Sequence, residues 1–175
     1  MRGQGVKPDR AEALRLYRAA AERGDGETMN AIGYNYEYGN TLVPRDIETA
    51  VYWYCRAIER GNPRAMNNLG LLFAAGEGAA RDLSEAHSLW RQAAEAGHSN
   101  SMVNLGLSLL ENGQKSRIAW LRRAAELGSG AAQAQLARMG IHGVWPHPFD
   151  DATRMTLEPD EPPAGHSRYC RPLVS

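Results

Sequence analysis

Apolar residues recur at helical spacing along most of this 175-residue chain. In "AMNNLGLLFAAG" (65–76), Met66, Leu69, Leu72 and Phe73 fall on one helical face. "TMNAIGYNYEYG" (28–39) and "SMVNLGLSLLENG" (101–113) share that texture. These stretches predict a first type of helix, with a glycine in its middle and another at or beside its end, at Gly39, Gly76 and Gly113. A second type opens on Asp9, Asp46 or Asp82. Asp9 and Asp82 precede Glu12 and Glu85 by three residues, the spacing of a capping box with Asp in the Ser/Thr place. Inside it, bulky pairs recur as Leu16/Tyr17, Trp53/Tyr54, Leu89/Trp90 and Trp120/Leu121, and three residues on come Ala20, Ala57, Ala93 and Ala124. Residues 131–139 form one more helix of the first type.

The two types alternate with a fixed period. "AAERG", "AIERG", "AAEAG" and "AAELG" end at Gly24, Gly61, Gly97 and Gly128, which are 37, 36 and 31 residues apart. The mid-helix glycines Gly33, Gly70 and Gly106 follow at 37 and 36, as do the acidic starts. Three series in step indicate a repeat array. A mid-helix glycine costs about 0.5–1 kcal/mol relative to alanine, so its recurrence predicts the close approach of a neighbouring helix. The alanines of the five-letter motif predict a tight contact, its glutamate a solvated side chain, and its final glycine a helix stop at positive φ.

The array is uneven at its ends. "GQGVKPD" before Arg10 is the counterpart of "GEGAARD" (76–82), so the chain starts halfway through a unit. The expected order is eight helices over residues 1–140, three complete units flanked by two halves. Open half-repeats leave apolar surface uncovered, so the chain is expected either to be cut from a longer one or to start downstream of its true start. The fourth unit has a shorter interhelix loop and carries Arg117 where Ala13, Ala50 and Ala86 stand in the others, so its packing is expected to differ. Residues 141–175 hold six of the nine prolines and no repeat. There we expect one short helix at 150–156, an extended or disordered end from Glu158, and Val144, Trp145 and Phe149 capping the last helix.

Composition narrows the function. Lys plus Arg and Asp plus Glu each number 20, so net charge is zero. That balance argues against nucleic acid as a partner. No apolar run approaches the roughly 20 residues of a membrane span, and "MRGQGVKPDR" has no apolar core of a secretory leader. The default compartment is cytoplasmic, with periplasmic the alternative for a truncated N-terminus. Oligomeric state is left open. Cys55 lies in an apolar helical run and Cys170 in the tail. With no disulfide framework and no paired CxxC, the expectation is a buried unpaired Cys55, with one long-range disulfide as the alternative.

No GxSxG, HExxH, Walker loop or GxGxxG preceding a helix occurs in the sequence. "GEGAA" (76–80) and "GSGAA" (128–132) sit at repeat turns and lack a phosphate-holding Lys-Ser/Thr. His87 is placed on a helix surface and His98 in a turn. His142, His147, Asp150 and Asp151 cluster near the tail. They could ligate a metal or, with Cys170, form a nucleophile pair, which is the competing reading as a metal- or thiol-dependent enzyme. The leading expectation is no catalytic residue, no metal and no cofactor.

The pattern LG-x-x-(Y/F)-x-x-G, a loop, then D-x-x-x-A-x-x-W-(Y/F)-x-x-A-A-E-x-G resembles the Sel-one-like repeat, a relative of the tetratricopeptide repeat. It covers residues 3–140 and is carried most fully by "NLGLLFAAGEGAARDLSEAHSLWRQAAEAG" (68–97). The resemblance implies an all-α fold, a right-handed α/α superhelix (solenoid) of antiparallel helix pairs whose first-type helices line a concave face. It also implies binding of a protein or peptide partner, as an adaptor. A bacterial immunity or inhibitor protein that masks a secreted or toxic enzyme is the alternative. By position relative to the mid-helix glycine, the implied groove residues are Asn30, Tyr34, Glu37 and Tyr38; Asn67, Leu71, Ala74 and Ala75; and Val103, Leu107, Leu110 and Glu111. For Leu71, Val103 and Leu107 burial between units is the competing reading. The proline-rich tail lying along this groove is a further expectation.

Overall fold

A computed structural model of the protein describes residues 15–17, 19, 21–41, 43–78, 80–108, 114–142 and Cys170. Every regular element among them is helical. Residues 15–17, 19 and 21–22 are helical, followed by α1 (Gly26–Tyr38), α2 (Ile47–Ile58), α3 (Pro63–Ala75), α4 (Leu83–Glu95), α5 (Ser99–Ser108), α6 (Gln114–Glu126) and α7 (Gly130–Arg138). Each helix packs on the next, α1 on α2, α3 on α4 and α5 on α6 most extensively. This is the α/α solenoid that the resemblance implies, built from the two-helix units that the alternation predicts. Asp9, Glu12, Ala13, Ala20, Leu110, Glu111, Gly113, Val144, Trp145, Phe149, His147, Asp150 and Asp151, and with them the short helix expected at 150–156, lie outside the described residues.

The mid-helix glycines have a steric cause. A Cβ on Gly33 would stand 2.7 Å from the Tyr54 ring, one on Gly70 2.5 Å from Trp90 Nε1, and one on Gly106 3.1 Å from Leu121 Cγ. In each unit the second bulky residue of the second helix therefore rests on the bare backbone of the first. The alanines Ala57, Ala93 and Ala124 are fully buried beside it.

The five-letter motif closes one helix and hands over to the next. Gly61 and Gly97 have φ of 73° and 86°, and the residue after each turns back: Asn62 N–H donates to Ala57 O at 3.1 Å and His98 N–H to Ala93 O at 2.9 Å. This is the six-to-one bond of a Schellman end. The same residue then starts the next helix. Asn62 Oδ1 accepts from Ala65 N–H at 2.9 Å, Asp25 from Glu27 and Thr28 N–H at 3.1 and 3.2 Å, and Ser129 Oγ from Ala132 N–H at 3.4 Å. Within units, Asp46 and Asp82 cap α2 and α4 as expected, accepting from Thr49 and Glu85 N–H at 3.1 and 3.0 Å.

The fourth unit does differ. Ala50 and Ala86 are fully buried, whereas Arg117 is half-buried with its Nε enclosed and unpaired among the described residues.

The expectation for the cysteines is corrected. Cys55 and Cys170 form a disulfide, Cα atoms 5.1 Å apart. Cys55 is buried and Cys170 packs against the same core. Their separation of 115 residues carries no spacing signal, and an apolar neighbourhood suits a cystine as well as a thiol.

Candidate functional site

Asn30, Tyr34, Glu37 and Tyr38 stand at i, i+4, i+7 and i+8 of α1, one helical face. Tyr34 and Tyr38 are 53% and 62% exposed, with ring centroids 4.5 Å apart and planes tilted by 40°. Leu71, at Tyr34's repeat position on α3, is 42% exposed, so of its two readings the structure favours surface. Leu107, at the same position on α5, is half-buried, as are Asn30, Glu37 and Ala74, while Ala75 is exposed.

Two groove assignments are corrected. Asn67 is only 6% exposed and Val103 8%. Asn67 Oδ1 accepts from Ser101 Oγ at 3.0 Å and from Asn104 Nδ2 at 2.9 Å, and its backbone oxygen accepts from Trp90 Nε1 at 3.2 Å. An amide so enclosed stitches α3 to α5 and offers nothing to a partner. Beside it, Asn68 Nδ2 donates to Asn30 Oδ1 at 3.1 Å, stitching α3 to α1. Together these polar bonds hold the three first-type helices side by side.

Glu37 is the charged member of the α1 face. Its carboxylate accepts the hydroxyl of Tyr54 from α2. Burial, then the Glu37 contact, pushes the Tyr54 phenol far up. Tyr38 is raised too, first by hydrogen bonding to Glu37 and then by its charge. Tyr54 and Glu37 therefore form a hydrogen-bonded pair, with the exposed rings of Tyr34 and Tyr38 beside it.

Arg45 and Arg81 were missed by sequence reasoning. Arg45 Nε donates to Glu37 O and Arg81 Nε to Ala74 O, each at 3.0 Å. They stand 36 residues apart, so their spacing is the signal that could have revealed them as terminators of the first-type helix. Arg45 also pairs with Glu77 of the next unit, and Arg64 with Glu27 at 3.2 Å.

The histidines are less superficial than expected. His87 is half-buried with Nε2 enclosed and unpaired among the described residues. His98 Nδ1 lies 2.9 Å from Ser101 Oγ. Cys170, held in a disulfide, has no thiolate to act as a nucleophile. No described helix is long and apolar enough to cross a membrane.

A sequence model described as the Sel1 repeat matches residues 1–25, 26–62, 63–98 and 99–129. Among curated proteins, the chain is 30% identical over 165 residues to chitin synthase regulatory factor 3 of Schizosaccharomyces pombe, covering 86% of this chain and 18% of that one. It is 33% identical over 67 residues to the ERAD-associated E3 ubiquitin-protein ligase component HRD3A of Arabidopsis thaliana, covering 38% of this chain and 10% of that one. It thus spans less than a fifth of either relative. Among solved structures, a protective antigen of uropathogenic Escherichia coli with an SLR fold superposes with a TM-score of 0.67 at 30% identity, over 71% of this chain and 28% of that one. A Sel1 repeat protein from Oxalobacter formigenes gives 0.64 at 27% identity, over 72% of this chain and 98% of that one.

Proposed function

The chain belongs to the Sel1 repeat family, and from that premise we propose that it is an adaptor, a non-enzymatic module that holds a protein or peptide partner against the shared face of α1, α3 and α5. The observation that carries the reading is the exposure of Tyr34 and Leu71 at matching repeat positions, with Tyr38 exposed one turn beyond Tyr34. Large apolar and amphipathic side chains held open on a rigid scaffold are suited to contact. The contact surface comprises Tyr34, Tyr38, Glu37, Leu71 and the half-buried Asn30 and Leu107. The relatives support the class: one is named as a regulatory factor of an enzyme and one as a component of a ligase.

The test is capture from native lysate with immobilised protein, comparing wild type with Tyr34→Ala/Leu71→Asp and with Tyr52→Ala. Tyr52 lies on α2 and is also exposed, so it controls for loss of any surface ring. A specific partner should be retained by Tyr52→Ala and lost by the double variant at unchanged helicity. Capture that ignores the double variant removes the reading.

A further inference from the structure

We propose that the α1 end of this face is a receptor for an arginine side chain of the partner, with Glu37 as its counter-ion and Tyr34 and Tyr38 as its bedding. The inference deepens the partner-binding reading and rests on it. It starts from charge. Glu37 is a half-buried carboxylate on a face otherwise built of rings and aliphatics. Among the described residues no lysine or arginine forms an ion pair with it. The nearest guanidinium by contact, Arg45, donates to the Glu37 backbone oxygen and pairs with Glu77. With Arg45 engaged by Glu77, the Glu37 carboxylate is left without an ion-pair partner among the described residues.

The surroundings select the cation. Tyr54 donates its hydroxyl to one oxygen of Glu37. A carboxylate has about four acceptor positions; with Tyr54 on one and Tyr38 also hydrogen-bonded to it, two remain for a planar fork of two N–H donors. The Tyr34 and Tyr38 rings lie one helical turn apart, mostly open to solvent. A guanidinium is flat, weakly hydrated and stacks on such rings while bonding bidentately to a carboxylate. A lysine ammonium is a compact hydrated point charge that does the second only singly. The position favours a side chain arriving from outside, because Tyr54 of α2 already holds the Glu37 carboxylate from within the unit, while the Tyr34 and Tyr38 rings beside it are exposed. Further along the face the chemistry turns aliphatic at Leu71 and half-buried Leu107. The segment that fits therefore carries arginine at one end and apolar residues after it.

The test uses the whole chain, isotope-labelled, titrated by NMR with two acetylated and amidated nonapeptides. Both alternate leucine and alanine and differ only in carrying arginine or citrulline as second residue. Citrulline keeps the shape and loses the charge. The arginine peptide is expected to shift the amides of residues 34–38 and 71, and to bind at least fivefold more tightly than its citrulline twin. That difference should vanish in Glu37→Gln, whose amide oxygen still accepts from Tyr54. Should Glu37→Gln unfold, Tyr38→Leu is the substitute, and it should weaken the arginine peptide selectively. Equal shifts by both peptides would remove the arginine assignment and leave the partner-binding face standing. Absence of any shift at residues 34–38, or an arginine preference that persists without Glu37, would also overturn it, whereas lysate capture judges the broader reading separately.

Discussion

The indole of Trp90 lies across the backbone of Gly70, with its Nε1 donating to the Asn67 carbonyl oxygen at 3.2 Å. No side chain fits between them: a Cβ at Gly70 would meet Nε1 at 2.5 Å. Tyr54 stands over Gly33 in the same way, at 2.7 Å, whereas Leu121 clears Gly106 by 3.1 Å.

Gly70→Ala should therefore destabilise the protein although alanine is the better helix former. Overpacking costs about 1–3 kcal/mol, and the helical gain returns about 0.5–1 kcal/mol. The net expected loss is about 1–2 kcal/mol at Gly70 and Gly33. It should be near zero at Gly106, where a flexible leucine can give. Urea unfolding followed by circular dichroism measures all three, and equal effects at the three sites would contradict the steric cause.

The Cys55–Cys170 bond closes a long loop, its ends 115 residues apart in sequence. Chain entropy alone would give about 4–5 kcal/mol for such a loop, and measured bridges more often give about 2–4 kcal/mol. Reduction, or Cys55→Ser, should lower stability by the smaller figure. Protein made in a reducing cytosol should label with maleimide at both thiols when denatured, and protein made in an oxidising compartment at neither. Labelling in both cases would show that the bond does not form.

Burial, and after it the nearby Arg64, hold the His98 imidazole below its usual 6.5, with Glu27 opposing. Burial, then Arg91, does the same to His87. A histidine depressed in the fold takes up its proton more readily when unfolded. Its contribution to stability is thus complete above pH 6.5 and fades as the pH falls below that value. Asp25 and Asp46, lowered first by hydrogen bonds from Thr28 and Thr49, change only below their ordinary 3.8 and stay out of this window. Stability should drop between pH 7 and pH 5. In His98→Asn, which places there the cap that Asn62 provides one unit earlier, the drop should be smaller. An unchanged profile in that variant would exclude His98 as a source.

The architecture was legible because a solenoid repeats its physics. A steric demand such as the glycine beneath Tyr54 recurs beneath Trp90, and a recurrence is visible in letters. The surface was legible only in part. Tyr34 and Leu71, one residue after the mid-helix glycine, are open as their groove assignment implies, but Asn67 and Val103, three residues before it, carry the same assignment and are enclosed. The register fixes the direction of a side chain and says nothing of what the neighbouring unit lays over it, here Ser101 and Asn104. The disulfide was invisible for a related reason: it joins the array to a segment with no repeat, and only folding brings its ends together.

Asn67 supplies the sharpest test of how the units are held. Its Oδ1 serves Ser101 and Asn104 of the following unit at 3.0 and 2.9 Å, and Ser101 is fully buried. Asn67→Ala would leave both donors without that acceptor. An unsatisfied buried polar group costs about 1–3 kcal/mol, so the loss should fall in that range. Asn30, bonded once and half-buried, should cost less than about 1 kcal/mol when changed to alanine. The expected signature at Asn67 also includes cooperativity, because in a linear array the interface between units transmits folding. Hydrogen exchange should show α5 and α6 opening ahead of α1 to α4 in Asn67→Ala, whereas in Asn30→Ala the order should stay as in the wild type. Uniform loss of protection in Asn67→Ala would mean that apolar packing alone couples the units.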